Sequence, residues 1–183
     1  KISKLRKEKE EIKPATTLVM KEIREPRDTK VMLRGNYLTL GDSVAVGTPA
    51  VLHGYDKKLP PNRLGFAKWL VAPANPLMSR VTVNRWWAAF MGRGIVATQE
   101  DFGSQGEPPT HQGLLDWLAV EFVESGWSMK HIHRLIVTSR TYRQLSRVIG
   151  EHMEQDPANR YFARAPRVRM SAEMLRDSAL TVS

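Results

Sequence analysis

Arg80, Asn84 and Trp87 stand four and three residues apart, with Arg85 beside them. On a helix that spacing puts the first three along one face. A guanidinium, a carboxamide and a flat ring in a row can hold an anion or a carboxylate by convergent donors. The same groups can instead tie a neighbouring loop to the helix through internal hydrogen bonds. Bracing is the expected role, because a polar pair beside so much apolar area is costly unless satisfied, and backbone partners are the common answer. Downstream, Asp101-Phe102-Gly103 matches the magnesium-binding tripeptide of protein kinases. No G-x-G-x-x-G loop, paired lysine or H-R-D segment accompanies it, so the match is set aside. Asp101 is expected to turn its loop by bonding its own backbone, with Phe102 as anchor. The loop should fold back over the helix, so that Asp101 or its backbone meets Arg80 or Arg85.

Histidines offer less. His111 opens a helix after Thr110 and is grouped with Arg80, Asn84, Arg85, Trp87 and Asp101 as a binding or structural cluster; His131 and His133 point to different faces of another helix, and His53 and His152 fall in connections. No H-E-x-x-H or other zinc spacing is present, and no metal site is assigned. Cysteine is absent, which excludes disulfides, thiolate ligands, a thiol nucleophile and a C-x-x-C-H haem attachment within this chain. Ser139, Thr141 and Tyr142 lack a G-x-S-x-G elbow; Ser139 and Thr141 read as caps where one helix ends and the next begins.

The elements that must position these residues follow from caps and periodicity. Asn62, Asn75 (with Pro76 at the first helical position), Thr110, Ser128 and Ser171 each precede an apolar-periodic run, predicting five helix starts. Gly92 and Gly126 are the expected stops of the second and third helices. Residues 92–109 read as a long ordered loop, 140–148 as a short helical turn and 150–166 as a connection. Before Asn62, short apolar runs (Thr17–Met20, Val31–Leu33, Val44–Val46) between glycines and prolines predict extended segments lying against the helices. The expected class is mainly α, a compact helical domain with an irregular N-terminal layer. Its five tryptophans (69, 86, 87, 117 and 127) should fill one core.

The chain has 183 residues, 28 basic against 19 acidic, a formal charge of +9. Most of the basic side chains toward the C-terminal end are arginines. Arg134, Arg143, Arg147, Arg160, Arg164 and Arg169, with Tyr142, Tyr161 and Phe162 nearby, form a candidate polyanion surface. Such a face could hold an acidic polysaccharide or an acidic neighbouring domain, and the same arginines could instead join helices internally. Nucleic acid ranks below these, since no helix-turn-helix, RRM or KH motif is present. No stretch approaches the length of a membrane span. Residues 1–14 read as a linker or the end of a preceding element, and 15–183 as one domain. The apolar-periodic pattern running to Ser183 is read as a helix cut short, within a longer polypeptide.

Taken in order, the motifs resemble a known family. They include Asn62-Arg63-Leu64, Trp69-Leu70, Asn75-Pro76-Leu77, Arg80-Val81-x-Val83-Asn84-Arg85-x-Trp87, Phe90-x-Gly92-x-Gly94 and Asp101-Phe102-Gly103. Further on come Leu115-Asp116-Trp117-Leu118, Gly126-Trp127-Ser128, Ser139-x-Thr141-Tyr142-Arg143-Gln144 and Ala172-Glu173-x-x-Arg176-Asp177. The chain from about Ala15 resembles the planctomycete-specific PSD1 domain, a domain of unknown function numbered 1553. The resemblance implies a large exported protein, periplasmic or extracellular, in which companion domains precede this one and a cytochrome-c-like domain elsewhere carries any haem. It supplies no catalytic residues. Three functional classes follow: a non-catalytic scaffold or interaction domain, part of a polysaccharide-acting enzyme whose site is shared with another domain, or a polyanion-binding module. The first is expected.

Overall fold

A computed structural model describes residues 2–5, 16–23, 25 and 27–183. Residues 2–5 form a helical turn, and the remainder of the charged run at 1–13 lies outside the described residues. A two-stranded antiparallel hairpin follows, β1 (Lys30–Met32) and β2 (Leu40–Ser43), paired Lys30 to Ser43 and Met32 to Leu40 with an irregularity between. The helices are α1 (Arg63–Leu70), α2 (Leu77–Met91), α3 (Gln112–Glu124), α4 (Met129–Thr138), α5 (Arg140–Arg143), α6 (Gly150–Gln155) and α7 (Ala172–Val182). The architecture is mainly α, as the caps and periodicity predict. Of the expected extended runs, Val31 and Met32 fall in β1, whereas Leu33 opens a 3-10 turn (Leu33–Gly35) and residues 44–46 lie just beyond β2; the side chains of this layer are almost all exposed rather than packed against the helices. Their tie to the helices includes Arg63, whose Nε lies 2.8 Å from Glu22.

Local chemistry sets the helix ends. Asn62 accepts from Gly65 N at 3.1 Å, Ser128 from His131 N, Ser139 from Tyr142 N and Ser171 from Met174 N. Asn75 accepts from Leu77 N at 3.0 Å and more weakly from Met78 N, so it serves the first turn although α2 begins two residues on. Each bond satisfies an amide that has no partner inside the helix. Thr110 departs from expectation: α3 starts at Gln112, and the Thr110 hydroxyl and amide both donate to Ile95 O. A second correction is α6, which occupies part of the segment read as a connection.

The end of α3 is fixed by a paired stop. Gly126 N donates to Val123 O and Trp127 N to Phe122 O, with Gly126 at φ 70°, where a Cβ is unfavourable. The Trp127 ring then meets the Phe122 ring edge-on at 5.0 Å, so the turn that ends the helix also packs against it.

Helices α2, α3 and α4 pack together around one core. Val83, Trp87 and Met91 from α2 meet Leu115, Leu118 and Phe122 from α3 and Ile132 and Ile136 from α4. Ile95 and Val96 from the loop and Phe162 complete the cluster. The tryptophans divide, against expectation. Trp87 is in this core and Trp86 and Trp127 pack at its edge, whereas Trp117 is half exposed. Trp69 forms a separate stack with His53 at 4.6 Å and Phe66 at 5.8 Å, and its Nε1 donates to His53 O. Leu115, Leu118, Ala119 and Phe122 define the buried face of α3, and Trp117 falls on the far side of the helix from it.

Ile132, fully buried, and Leu180, 60% exposed, give opposite expectations. Ile132→Ala should lower unfolding stability by about 2–5 kcal/mol, and Leu180→Ala should stay within about 0.5 kcal/mol. Urea denaturation of both variants measures this.

Candidate functional site

Arg80, Asn84 and Trp87 all lie on α2, and Asn84 and Trp87 are buried. Asn84 has no exposed surface. Its Nδ2 donates to Val96 O at 3.0 Å, and its Oδ1 accepts from Val96 N at 2.9 Å. The carboxamide thus pairs with one residue of the loop as a neighbouring strand would, satisfying two buried backbone groups at once. Gly94 makes this approach possible. A Cβ there would collide with Val96 O and sit 2.8 Å from Asn84 Nδ2. Trp87 is buried edge-on to Phe162 at 5.2 Å.

Arg80 reaches α3. Its Nε donates to Asp116 Oδ1 at 2.6 Å, and its Nη1 to Pro76 O. Gln112 donates to the other Asp116 oxygen at 2.9 Å. Hydrogen bonds from Gln112 and then Arg80, with the Arg80 charge, hold the Asp116 carboxyl below its ordinary range against the opposing effect of burial.

The expected meeting of Asp101 with an arginine of α2 is corrected. Asp101 accepts from Gly103 N at 2.7 Å, turning the loop on itself. Phe102 packs against the core as its anchor. The loop carboxylate that meets α2 is Glu100, 3.5 Å from Arg85 in an exposed pair. Asp101 is a short side chain committed to its own turn, whereas Glu100 is solvent-facing and free to extend. Thr98 joins the loop's two limbs: its hydroxyl donates to Asp101 O and accepts from Glu107 N.

His111 lies beside aromatic rings, 5.6 Å from Phe162 and 6.1 Å from Tyr161, with Nδ1 3.0 Å from the Thr110 hydroxyl. Phe162 is therefore flanked by Trp87 and His111, which brings three elements of the chain together. Among the described residues, no group of three or more His, Asp or Glu side chains is placed to hold a metal ion.

The six arginines do not form one uniform set. Arg134, Arg143, Arg147 and Arg169 are exposed. Arg160 lies 3.3 Å from Glu107. Arg164 is buried, and its guanidinium donates to the carbonyls of Asp156 and Pro157. It does not belong to an exposed surface. It closes a knot in which Asp156 accepts from the amides of Arg160 and Tyr161 at 2.8 and 2.9 Å. Asn159 bonds Arg164 through both side-chain atoms. Burial pushes the Asp156 carboxyl upward, yet the Tyr161 and Arg160 amides and the charges of Arg164 and Arg160 outweigh it, leaving a net depression. The turn residues Asp156, Pro157 and Asn159 were the sequence signal for a connection; their use as a knot around Arg164 depends on contacts the spacing does not show. Asp116 and Glu121 were also legible only as polar positions, although Glu121 meets His131 at 2.6 Å across α3 and α4.

A helical core whose conspicuous polar side chains turn inward to hold loops defines a braced helical domain. The chain belongs to the PSD1 family, described as a protein of unknown function (DUF1553), whose model matches residues 62–183. That span contains all seven helices from α1 onward. No curated protein and no solved structure matches the chain.

Two predictions follow from the bracing. Asn84→Ala leaves the amide and carbonyl of Val96 unpaired in the core and should cost about 2–4 kcal/mol in urea unfolding, whereas Glu100→Gln should change stability by less than about 0.5 kcal/mol. Asp156, with its pKa depressed on folding, contributes stability that is present above the unfolded value of about 4 and lost as pH falls through the lower folded value. Asp156→Asn should therefore lower the melting temperature most near neutrality, and the gap from wild type should close below about pH 4 in thermal melts across pH.

Proposed function

We propose that this chain is a non-catalytic scaffold or interaction domain of an exported, multidomain bacterial protein, periplasmic or extracellular, with other domains of the same polypeptide as its partners. The observation that carries the reading is α7, every residue of which is exposed. Leu175, Ala179 and Val182 recur on it at four- and three-residue spacing, an apolar stripe that in a folded assembly faces another element. Met174, Leu175 and Leu180 are each more than half exposed. The polar residues best suited to chemistry are meanwhile engaged internally, Arg80 with Asp116 and Asn84 with Val96. Haem, on this reading, belongs to a separate cytochrome-like domain. Among the described residues no helix is long and apolar enough to cross a membrane, and partners of the same polypeptide are compatible with that.

Hydrogen exchange compares the 183-residue chain with the longer native polypeptide. Backbone amides of residues 172–182 should exchange at least about tenfold more slowly in the longer protein. Equal rates in the two would remove the basis of the interaction reading. Polysaccharide cleavage by the longer protein, abolished by Asp116→Asn in a folded variant, would favour the shared-site enzyme instead.

A further inference from the structure

A cleft of about 340 Å³ lies where the end of α2 faces residues 146–148 and 157–168. Arg93, Arg164 and Arg167 line it, and no Asp or Glu side chain does. Three other clefts of similar size each include a carboxylate: Glu22 beside α1, Asp116 and Glu124 between α2 and α3, and Glu107 under the loop. The difference lies in charge, not volume.

The donors of this cleft are only partly used. Arg167 is exposed at the rim; its Nε donates to Ser146 O at 3.2 Å, which leaves its two terminal nitrogens available. Arg93 Nη2 makes a long contact of 3.4 Å with Glu107, and Arg160 draws on the same Glu107 oxygen at 3.3 Å. The Nε of Arg93 is buried and has no hydrogen-bond partner, so the terminal nitrogens are the part of this guanidinium that can turn to a ligand. Arg164, fixed by two carbonyls, is a stationary positive charge beneath. Counting charges around the cleft sets Arg93, Arg160, Arg164 and Arg167 against Glu107 and Asp156. The C-terminal end of α2 adds partial negative charge on the same side, which Arg93 is placed to offset. The four guanidinium groups against two carboxylates leave two positive charges, which the helix end lowers to about one and a half. Met91, Val148 and Val168 supply apolar wall between the guanidinium groups.

We propose that this cleft binds a compact oxyanion, a carboxylate or a sulfate or phosphate ester carried on a small, partly apolar molecule. Arg93 and Arg167 donate the hydrogen bonds, and Arg164 supplies fixed charge. Guanidinium forks match such oxygens in pairs. The cleft is distinct from the exposed Arg134 and Arg143, which bear charge without an enclosing wall, and it does not depend on the interaction role of α7.

Nuclear magnetic resonance of the arginine Nε–Hε groups tests the proposal on the whole 183-residue chain. Inorganic sulfate, inorganic phosphate and glucuronate are titrated separately, with chloride holding ionic strength constant. At least one should give saturable shifts at Arg93 and Arg167. Saturation by sulfate and phosphate alone assigns a tetrahedral ester as the ligand group, and saturation by glucuronate alone assigns a carboxylate. Arg93→Gln and Arg167→Gln should each weaken binding at least about tenfold. Glu107→Gln should strengthen it severalfold by releasing Arg93, an effect that a purely structural arginine would not produce. Circular dichroism checks each variant's fold. If Arg167→Gln does not fold, the opposite effects of Arg93→Gln and Glu107→Gln decide. Non-saturating shifts of equal size at Arg93, Arg134 and Arg143, or affinity unchanged by both Arg93→Gln and Glu107→Gln, would overturn the proposal.

Discussion

The Asn84 carboxamide, closed on the amide and carbonyl of Val96, is the contact on which the helical body depends. A loop of about twenty residues between α2 and α3 has no ladder or helix of its own to satisfy its backbone, and such loops ordinarily stay on the surface. Here Ile95 and Val96 are buried in the core. Burying them takes their peptide groups out of water, and a buried backbone group without a partner costs about 1–3 kcal/mol. One side chain on α2 answers both groups of Val96, while Thr110 answers the Ile95 carbonyl. The burial that these bonds permit closes the α2–α3–α4 core from the loop side.

Once the loop is held there, other contacts acquire their geometry. Phe102 reaches the core's edge, and the Thr98 hydroxyl ties the outgoing limb to the returning one. Glu107 is then carried to a position between Arg93 and Arg160. That links the loop to the 156–164 knot, whose Phe162 packs between Trp87 and His111. Polar groups therefore act in this chain mainly as fasteners between elements distant in sequence. The net positive charge is distributed by the same logic. Asp116 braces Arg80 and Asp156 lies beside Arg164, and the residues lining the cleft at the end of α2 include arginines but no Asp or Glu. Apolar surface follows the opposite pattern: it is closed where the loop is held and open along α7.

What was legible in the sequence was local. The caps Asn62, Ser128, Ser139 and Ser171 bond amides three residues away, so residue type and position suffice to place them. Gly92 and Gly126 stop their helices for the same reason. Asn84 was readable as an internal tie because a carboxamide among Trp86, Trp87 and Val83 has to be satisfied. Its partner, twelve residues on, was not readable, since nothing in the spacing selects Val96 over Asp101. Thr110 looked like a cap because it stands before an apolar run, but a buried carbonyl at Ile95 competes for its hydroxyl and wins. Helix α6 carries no cap side chain and begins at a glycine, so no local signal announces it. The arginine-rich stretch reads equally as a surface or as internal ties, because spacing alone does not say where a guanidinium points; Arg164 is a tie, satisfied by the carbonyls of Asp156 and Pro157, and Arg134 and Arg143 are exposed. The ordered motifs fixed the family, which carries no described function, so they carry the fold further than they carry a role.

Native-state hydrogen exchange at the Val96 amide tests the central claim most directly. If Asn84 holds the loop as an integral part of the core, Val96 N–H opens only when the whole domain unfolds. Its exchange free energy should then equal those of Ile132 and Leu118 and fall with denaturant at the same slope. Exchange of Val96 at a lower free energy with a shallow slope, together with surface-loop amides such as Gly103, would show that the loop opens independently and that the clamp is not what the core rests on.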